Sequence, residues 1–208
     1  TQKLSEFLTN PGPQHYAAVD RVLLYLEGTK SWALEFSHTQ DAPVFQCSSD
    51  ASYADDSETR RSTEGYMFTL FGGTVDWRCT KQRTVTTSTT EAELHALTHA
   101  ATQLYWWQRF FSEIKLDLDE EYTLDCDNLQ TVRLMLKETP KLVTKLKHVD
   151  IHQHWLRQEV EANKLNVRWI TTSEMPADGF TKALPRQKHE NFVRHLKLVD
   201  IAYILQSF

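Results

Sequence analysis

Three strand-like runs crowded between residues 44 and 78, followed by a long helical period from 89 to 114, constrain this chain most. Val44-Phe45-Gln46-Cys47-Ser48 is a short mixed run leading into Ser49-Asp50. Tyr66-Met67-Phe68-Thr69-Leu70-Phe71 is rich in aromatics and reaches Gly72-Gly73. Thr74-Val75-Asp76-Trp77-Arg78 alternates after it. Two such runs joined across Gly-Gly predict a hairpin. Downstream, Ala92, His95, Ala96, His99, Ala100 and Leu104 recur at helical spacing, and Trp106, Trp107, Phe110, Phe111 and Ile114 extend that helix. Thr89 or Thr90 is the expected N-cap, with Glu93 in the first turn. A strand follows at 122–127, helices at 129–136 and 148–162, a last strand at 165–170, and helical pieces at 174–183 and 186–197. Before all of this, the breaker Pro11-Gly12-Pro13 opens a helix carrying Tyr16, Val19, Val22, Leu23 and Leu26, which Gly28 should end. Three meandering strands and then alternation with helices predict an α/β fold: a five-stranded mixed sheet with helices on both faces.

Composition narrows the class. Of 208 residues, 40% are apolar and 25% charged, which excludes collagen-like and wholly disordered chains. Apolar runs reach only five residues, as at 22–26, far short of the roughly 20 that span a bilayer. No basic-then-apolar leader is visible, so neither a secretory signal nor a membrane partner is expected. Cys47, Cys79 and Cys126 are odd in number and lack CxxC spacing, which predicts buried reduced thiols and no cysteine zinc site. The net charge of −5 hides an asymmetry. Residues 1–128 carry 10 basic and 20 acidic side chains, whereas residues 129–208 carry 13 basic and 8 acidic. An acidic and a basic half need separate explanations.

Most acids read as solvated loops, Asp55, Asp56 and Glu58 among them. Four stand apart by position: Asp50 ending the first strand, Glu93 opening the long helix, Asp127 ending the fourth strand and Asp178 opening the helix after the last. Strand ends and helix starts on one edge of an open sheet converge on a crevice. Carboxylates gathered there repel one another and call for hard, oxygen-loving cations such as Mg²⁺. Two such ions, roughly 3.5–4 Å apart, form a clamp for in-line attack on a phosphodiester. By position alone, ordinary caps and strand-end aspartates explain the same residues.

Asp50-Ala51-Ser52-Tyr53-Ala54-Asp55, Arg60-Arg61-Ser62-Thr63-Glu64-Gly65-Tyr66, Val75-Asp76-Trp77-Arg78-Cys79-Thr80-Lys81-Gln82 and Thr87-Ser88-Thr89-Thr90-Glu91-Ala92-Glu93-Leu94 follow one another in that order. After them come Asp125-Cys126-Asp127-Asn128, Lys147-His148-Val149-Asp150-Ile151, Met175-Pro176-Ala177-Asp178-Gly179-Phe180-Thr181-Lys182 and Leu184-Pro185. The series resembles the ribonuclease H domain of copia-type LTR retrotransposon Pol polyproteins. The leading stretch from His15 to Thr29 resembles the segment that leaves the reverse transcriptase. The resemblance covers about residues 15–200 and implies a ribonuclease H-like fold. It divides the chain into a connecting segment (1–42), a ribonuclease H domain (43–185) and a helical tail (186–208).

It also implies an endonuclease that hydrolyses the RNA strand of RNA–DNA hybrids during reverse transcription. The implied mechanism uses two Mg²⁺ ions, with Mn²⁺ as substitute, and leaves 3′-OH and 5′-phosphate. Asp50, Glu93, Asp127 and Asp178 match the family's catalytic and metal-binding carboxylates. Glu91 and Asp125 are near misses, and spacing alone leaves Asp125 open, because Asp125 and Asp127 share a strand face. The partners implied are the hybrid and the reverse transcriptase domain of the same polyprotein. The place implied is a cytoplasmic virus-like particle, with the nucleus second. Cys79-Thr80-Lys81, Thr86-Thr87 and Leu94 depart from the common family wording without removing a carboxylate. The interval Thr171-Thr172-Ser173-Glu174 lacks the histidine that many cellular ribonucleases H carry there, which assigns leaving-group proton transfer to water.

Other constellations have blander readings. His148 and His152, like His95 and His99, have the i, i+4 spacing of a zinc pair, but no nearby Cys or Glu completes a site. Hydrogen-bonded, partly buried histidines are expected. Lys137, Lys141, Lys145 and Lys147 read either as a solvated helix face or as a phosphate track, blind to sequence, for a duplex. With Lys145, Lys147 and His148, Arg60, Arg61 and Asn128 are the candidate nucleic-acid contacts. Trp106, Trp107, Phe110 and Phe111 are expected in the core, with docking against a polymerase as the minor alternative. Two other functions compete. An inactive tether or domesticated nucleic-acid-binding module would typically have lost carboxylates. A transposase or integrase core would need three acids with a late glutamate.

Overall fold

The computed structural model describes residues 1–37, 43–118, 121–136 and 147–205, with only the backbone at 147 and 148. The chain opens with α1 (Gln2–Ser5), α2 (Pro13–Gly28) and β1 (Trp32–Leu34). The meander is β2 (Phe45–Ser52), β3 (Thr63–Leu70) and β4 (Gly73–Lys81). Then come α3 (Thr89–Glu113), β5 (Thr123–Cys126), α4 (Leu129–Met135), α5 (Lys147–Glu161) and β6 (Asn166–Trp169). A 3-10 turn at Thr172–Glu174 leads to α6 (Asp178–Thr181), α7 (Arg186–His195), β7 (Leu198–Asp200) and α8 (Ala202–Leu205).

The main sheet has five strands in the order β4-β3-β2-β5-β6. The meander pairs are antiparallel and the β2–β5 and β5–β6 pairs are parallel, which is the mixed sheet that the element order predicts. Strand parity sorts the faces. Tyr66 and Phe68 pack with Leu94, Leu97 and Leu104 of α3 in the main core, and Glu64 on the same parity bonds His99 of that helix. Gly65, between them, faces α6: a Cβ there would lie 3.0 Å from Phe180 Cβ and 3.1 Å from the Arg78 carbonyl oxygen. Helices therefore cover both faces, and the close approach of α6 needs glycine at 65. Gly72 turns the hairpin at φ +76°, where other residues are strained.

Several local expectations are corrected. Ser88, not Thr89 or Thr90, caps α3, its hydroxyl accepting from the Glu91 amide, so Glu91 occupies the first turn and Glu93 the second. Asp56 is buried rather than solvated, and accepts from Lys81 and from the Glu58 and Thr59 amides. Of the aromatic block, Phe111 is core, whereas Trp106 and Phe110 are 47% and 40% exposed, so only part of the block is interior. The helical tail contains β7, which pairs antiparallel with β1 of the leading segment; neither three-residue strand was expected. Cys47 and Cys126 are buried free thiols, as the sequence predicts. No helix of the described residues is long and apolar enough to cross a membrane.

Candidate metal centre

Parallel pairing of β2 with β5 brings Asp50, near the end of one, beside Asp127, one residue past the end of the other. The start of α3 sets Glu93 against them. Its helix is anchored by the Ser88 cap and by Glu91, whose carboxylate accepts from the Thr87 amide at 2.8 Å and hydroxyl at 2.7 Å. One ligand oxygen from each of Asp50, Glu93 and Asp127 lies within 4.8 Å of the others. Asp178 is not in that group. It begins α6, and its Oδ1 accepts from Lys182 Nζ, which also reaches Asp50 Oδ1 at 3.3 Å.

Each carboxylate is aimed by neighbours. Thr181 donates its hydroxyl to Asp50 Oδ2. Thr172 donates to Asp127 Oδ2 at 2.8 Å, and Trp169 Nε1 donates to the Asp127 carbonyl at 3.0 Å. Cys79 Sγ donates to the Phe180 carbonyl at 2.8 Å, tying α6 to the β4 strand. Burial pushes the Asp50 carboxyl above its ordinary range, against the pull of Lys182 and Thr181. Burial, then the charges of Asp50 and Asp127, push Glu93 well above. Glu93 Oε2 is buried without a hydrogen-bond partner among the described residues. Three converging carboxylates, one with an orphaned buried oxygen, suit a hard divalent cation, which prefers oxygen ligands and offsets their repulsion. These residues fit such an ion.

The near misses are accounted for. Asp125 is fully buried, accepts from Gln46, and pairs with Arg168 through Nε at 2.7 Å and a second nitrogen at 3.0 Å. It is spent on a cross-strand ion pair. Glu91 is spent on the start of its helix. Among the candidate nucleic-acid contacts, Arg60 is exposed in the turn after β2, and Arg61 Nε donates to Thr59 Oγ1. Asn128 Oδ1 caps α4 by accepting the Thr131 amide. Lys137, Lys141 and Lys145 lie outside the described residues, and Lys147 and His148 have only their backbone described. The His95 and His152 rings meet edge to face at 5.1 Å, and His99 bonds Glu64; no histidine joins a metal-ligand group among the described residues. Position and spacing did not bring out Lys182, Thr181 and Thr172 as polar neighbours of the site. Lys182, four residues after Asp178, carried the readable signal, since i, i+4 places both on one helix face.

Known proteins agree with this architecture. The chain is 38% identical over 187 residues to the retrovirus-related Pol polyprotein from transposon TNT 1-94 of Nicotiana tabacum, covering 90% of this chain and 14% of that one. It is 30% identical over 199 residues to the retrovirus-related Pol polyprotein from transposon RE1 of Arabidopsis thaliana, covering 96% of this chain and 13% of that one. The chain thus spans about one seventh of the length of the polyproteins it matches. No protein-family model matches it. The solved structure of LC11-RNase H1, isolated from compost, superposes with a TM-score of 0.52 at 18% identity, covering 74% of this chain and 99% of that one. At that identity the likeness establishes the fold.

Proposed function

From a chain that belongs to the copia-type retrotransposon Pol polyproteins and has the ribonuclease H fold, we propose an endonuclease that hydrolyses the RNA strand of RNA–DNA hybrids. The observation that carries it is the convergence of Asp50, Glu93 and Asp127 within 4.8 Å at the edge where Asp178 opens α6. Asp50, Glu93, Asp127 and Asp178 are the proposed catalytic and metal-binding set, for Mg²⁺ with Mn²⁺ as substitute. Divalent ions bound there supply an activated water and charge stabilisation at the leaving 3′-oxygen, giving 3′-OH and 5′-phosphate.

The chain's own residues do the positioning. Thr181 orients Asp50, Thr172 orients Asp127, and the anchored start of α3 holds Glu93 in a dry wall. Arg60, Arg61, Asn128, Lys145, Lys147 and His148 are the proposed contacts to the duplex, and telling RNA from DNA rests on the 2′-OH. In this reading, residues 43–185 are the nuclease domain, 1–42 connect it to a reverse transcriptase, and 186–208 are a tail. The setting is a virus-like particle.

The test is cleavage of an RNA–DNA hybrid labelled on either strand, in Mg²⁺, by the wild type and by Asp127→Asn. The expected result is RNA-strand cleavage by the wild type and loss of at least about a hundredfold in the variant. Equal cleavage by both sinks the assignment, and hybrid binding without any cleavage favours an inactive tether.

A further inference from the structure

Lys182 puts an ammonium among carboxylates that two divalent cations would need whole. Its Nζ donates to Asp50 Oδ1 at 3.3 Å and to Asp178 Oδ1, so it bridges the first and last acids of the proposed set. Asp178 accepts this ammonium and does not join the Asp50–Glu93–Asp127 group. Glu93 Oε2, on another acid of the group, is buried with no hydrogen-bond partner among the described residues. The centre is therefore uneven: Asp50 and Asp178 already share an ammonium, whereas Glu93 Oε2 has no donor against it.

We propose that Lys182 is a built-in counter-ion that occupies the Asp50–Asp178 flank until a second divalent ion displaces it, so that the two ions bind in order. This rests on the reading of the carboxylates as a metal centre. The first ion enters at Asp50 Oδ2, Glu93 and Asp127, where the Asp50 oxygen is met by the neutral Thr181 hydroxyl and no ammonium needs to leave. The second requires Asp178 and Asp50 Oδ1, both of which Lys182 holds. A dication attracts carboxylates about twice as strongly as an ammonium at equal distance, which lets it displace the lysine at the cost of part of its own hydration and of the lysine contacts. The side chain can make the move: it is 38% exposed and ends a flexible four-carbon stem. At low divalent concentration the flank stays filled and the centre incomplete.

The experiment counts Mn²⁺ bound to the full chain, without substrate, from the paramagnetic resonance of the free ion. It compares the wild type, Lys182→Met and Lys182→Arg, with thermal melts in chelator. The wild type is expected to bind one ion and then a second at least about tenfold more weakly. Lys182→Met should tighten the second by about tenfold and leave the first within about twofold, and Lys182→Arg should behave as the wild type. Lys182→Met should also melt lower in chelator and recover in Mn²⁺. If that variant does not fold without metal, Lys182→Gln, which keeps a donor and loses the charge, carries the same comparison. A second ion that binds equally or more weakly to the uncharged variant overturns the proposal while leaving the metal centre standing. A wild type that binds no Mn²⁺ overturns both.

Discussion

Burial and the charges of Asp50 and Asp127 hold the Glu93 carboxyl well above its ordinary value of 4.5, so the folded chain keeps that proton longer than the unfolded chain does. A raised folded value contributes stability that is full below 4.5 and is lost as pH rises through the folded value. Asp50, raised from 3.8 mainly by burial, adds in the same direction. The melting temperature in chelator is therefore expected to fall as pH climbs above this range, and divalent cation should flatten the fall. Glu93→Gln removes a buried charge without a partner on Oε2 and should raise metal-free stability by about 1–2 kcal/mol, with a shallower pH slope. A slope unchanged in that variant would show that other groups set it. Asp125→Asn serves as the contrast: it removes the carboxylate charge that pairs with the half-exposed Arg168 and should cost about 1–2 kcal/mol while leaving Mn²⁺ affinity intact. The choice between Asp125 and Asp127 was beyond spacing alone for a physical reason. Alternation puts both on one face only while the strand lasts, and β5 ends at Cys126, so Asp127 is released from the pleat and re-aimed. That ending depends on pairing with β2 and β6, which no local pattern reports.

Elements were legible where their pattern was long. The meander, the α3 period and the β–α alternation after it all stood in the sequence, because apolar periodicity over five or more residues records which face is buried. The β1–β7 pair was not legible: three residues carry no period, and its register is set by partners 164–168 positions apart. The α3 cap was placed one or two residues late, since Ser88, Thr89 and Thr90 are equivalent by type and only backbone geometry distinguishes them. The four-residue α6 has too little chain to hold itself, so its place depends on packing against β3. Gly65→Ala should push α6 outward, because the new Cβ meets both Phe180 and the Arg78 carbonyl. A cost of about 1–3 kcal/mol is expected, with weakened Mn²⁺ binding, as Asp178 and Lys182 shift with the helix. Unchanged metal binding in a destabilised variant would separate α6 from the centre.

At the scale of the molecule, the charge asymmetry takes on a division of labour. The 20 acids of residues 1–128 include Asp50, Glu93 and Asp127, and the basic excess of 129–208 includes Lys182, which sits against them. A net charge of −5 repels a polyanion until cations bind, so hybrid affinity is expected to rise with divalent ion and to fall with monovalent salt. Fluorescence anisotropy of a labelled hybrid in Ca²⁺, across a salt series with and without chelator, checks this. Affinity indifferent to both would place the contacts away from the phosphates. The carboxylates at the ends of β2 and β5 and the start of α3 are proposed to form a metal centre. Anomalous diffraction from crystals grown with Mn²⁺ tests it most directly. A peak is expected in contact with Asp50, Glu93 and Asp127, and, at higher Mn²⁺, a second between Asp50 and Asp178 with Lys182 moved aside. Peaks only elsewhere on the protein, with Asp50, Glu93 and Asp127 left bare, would contradict it.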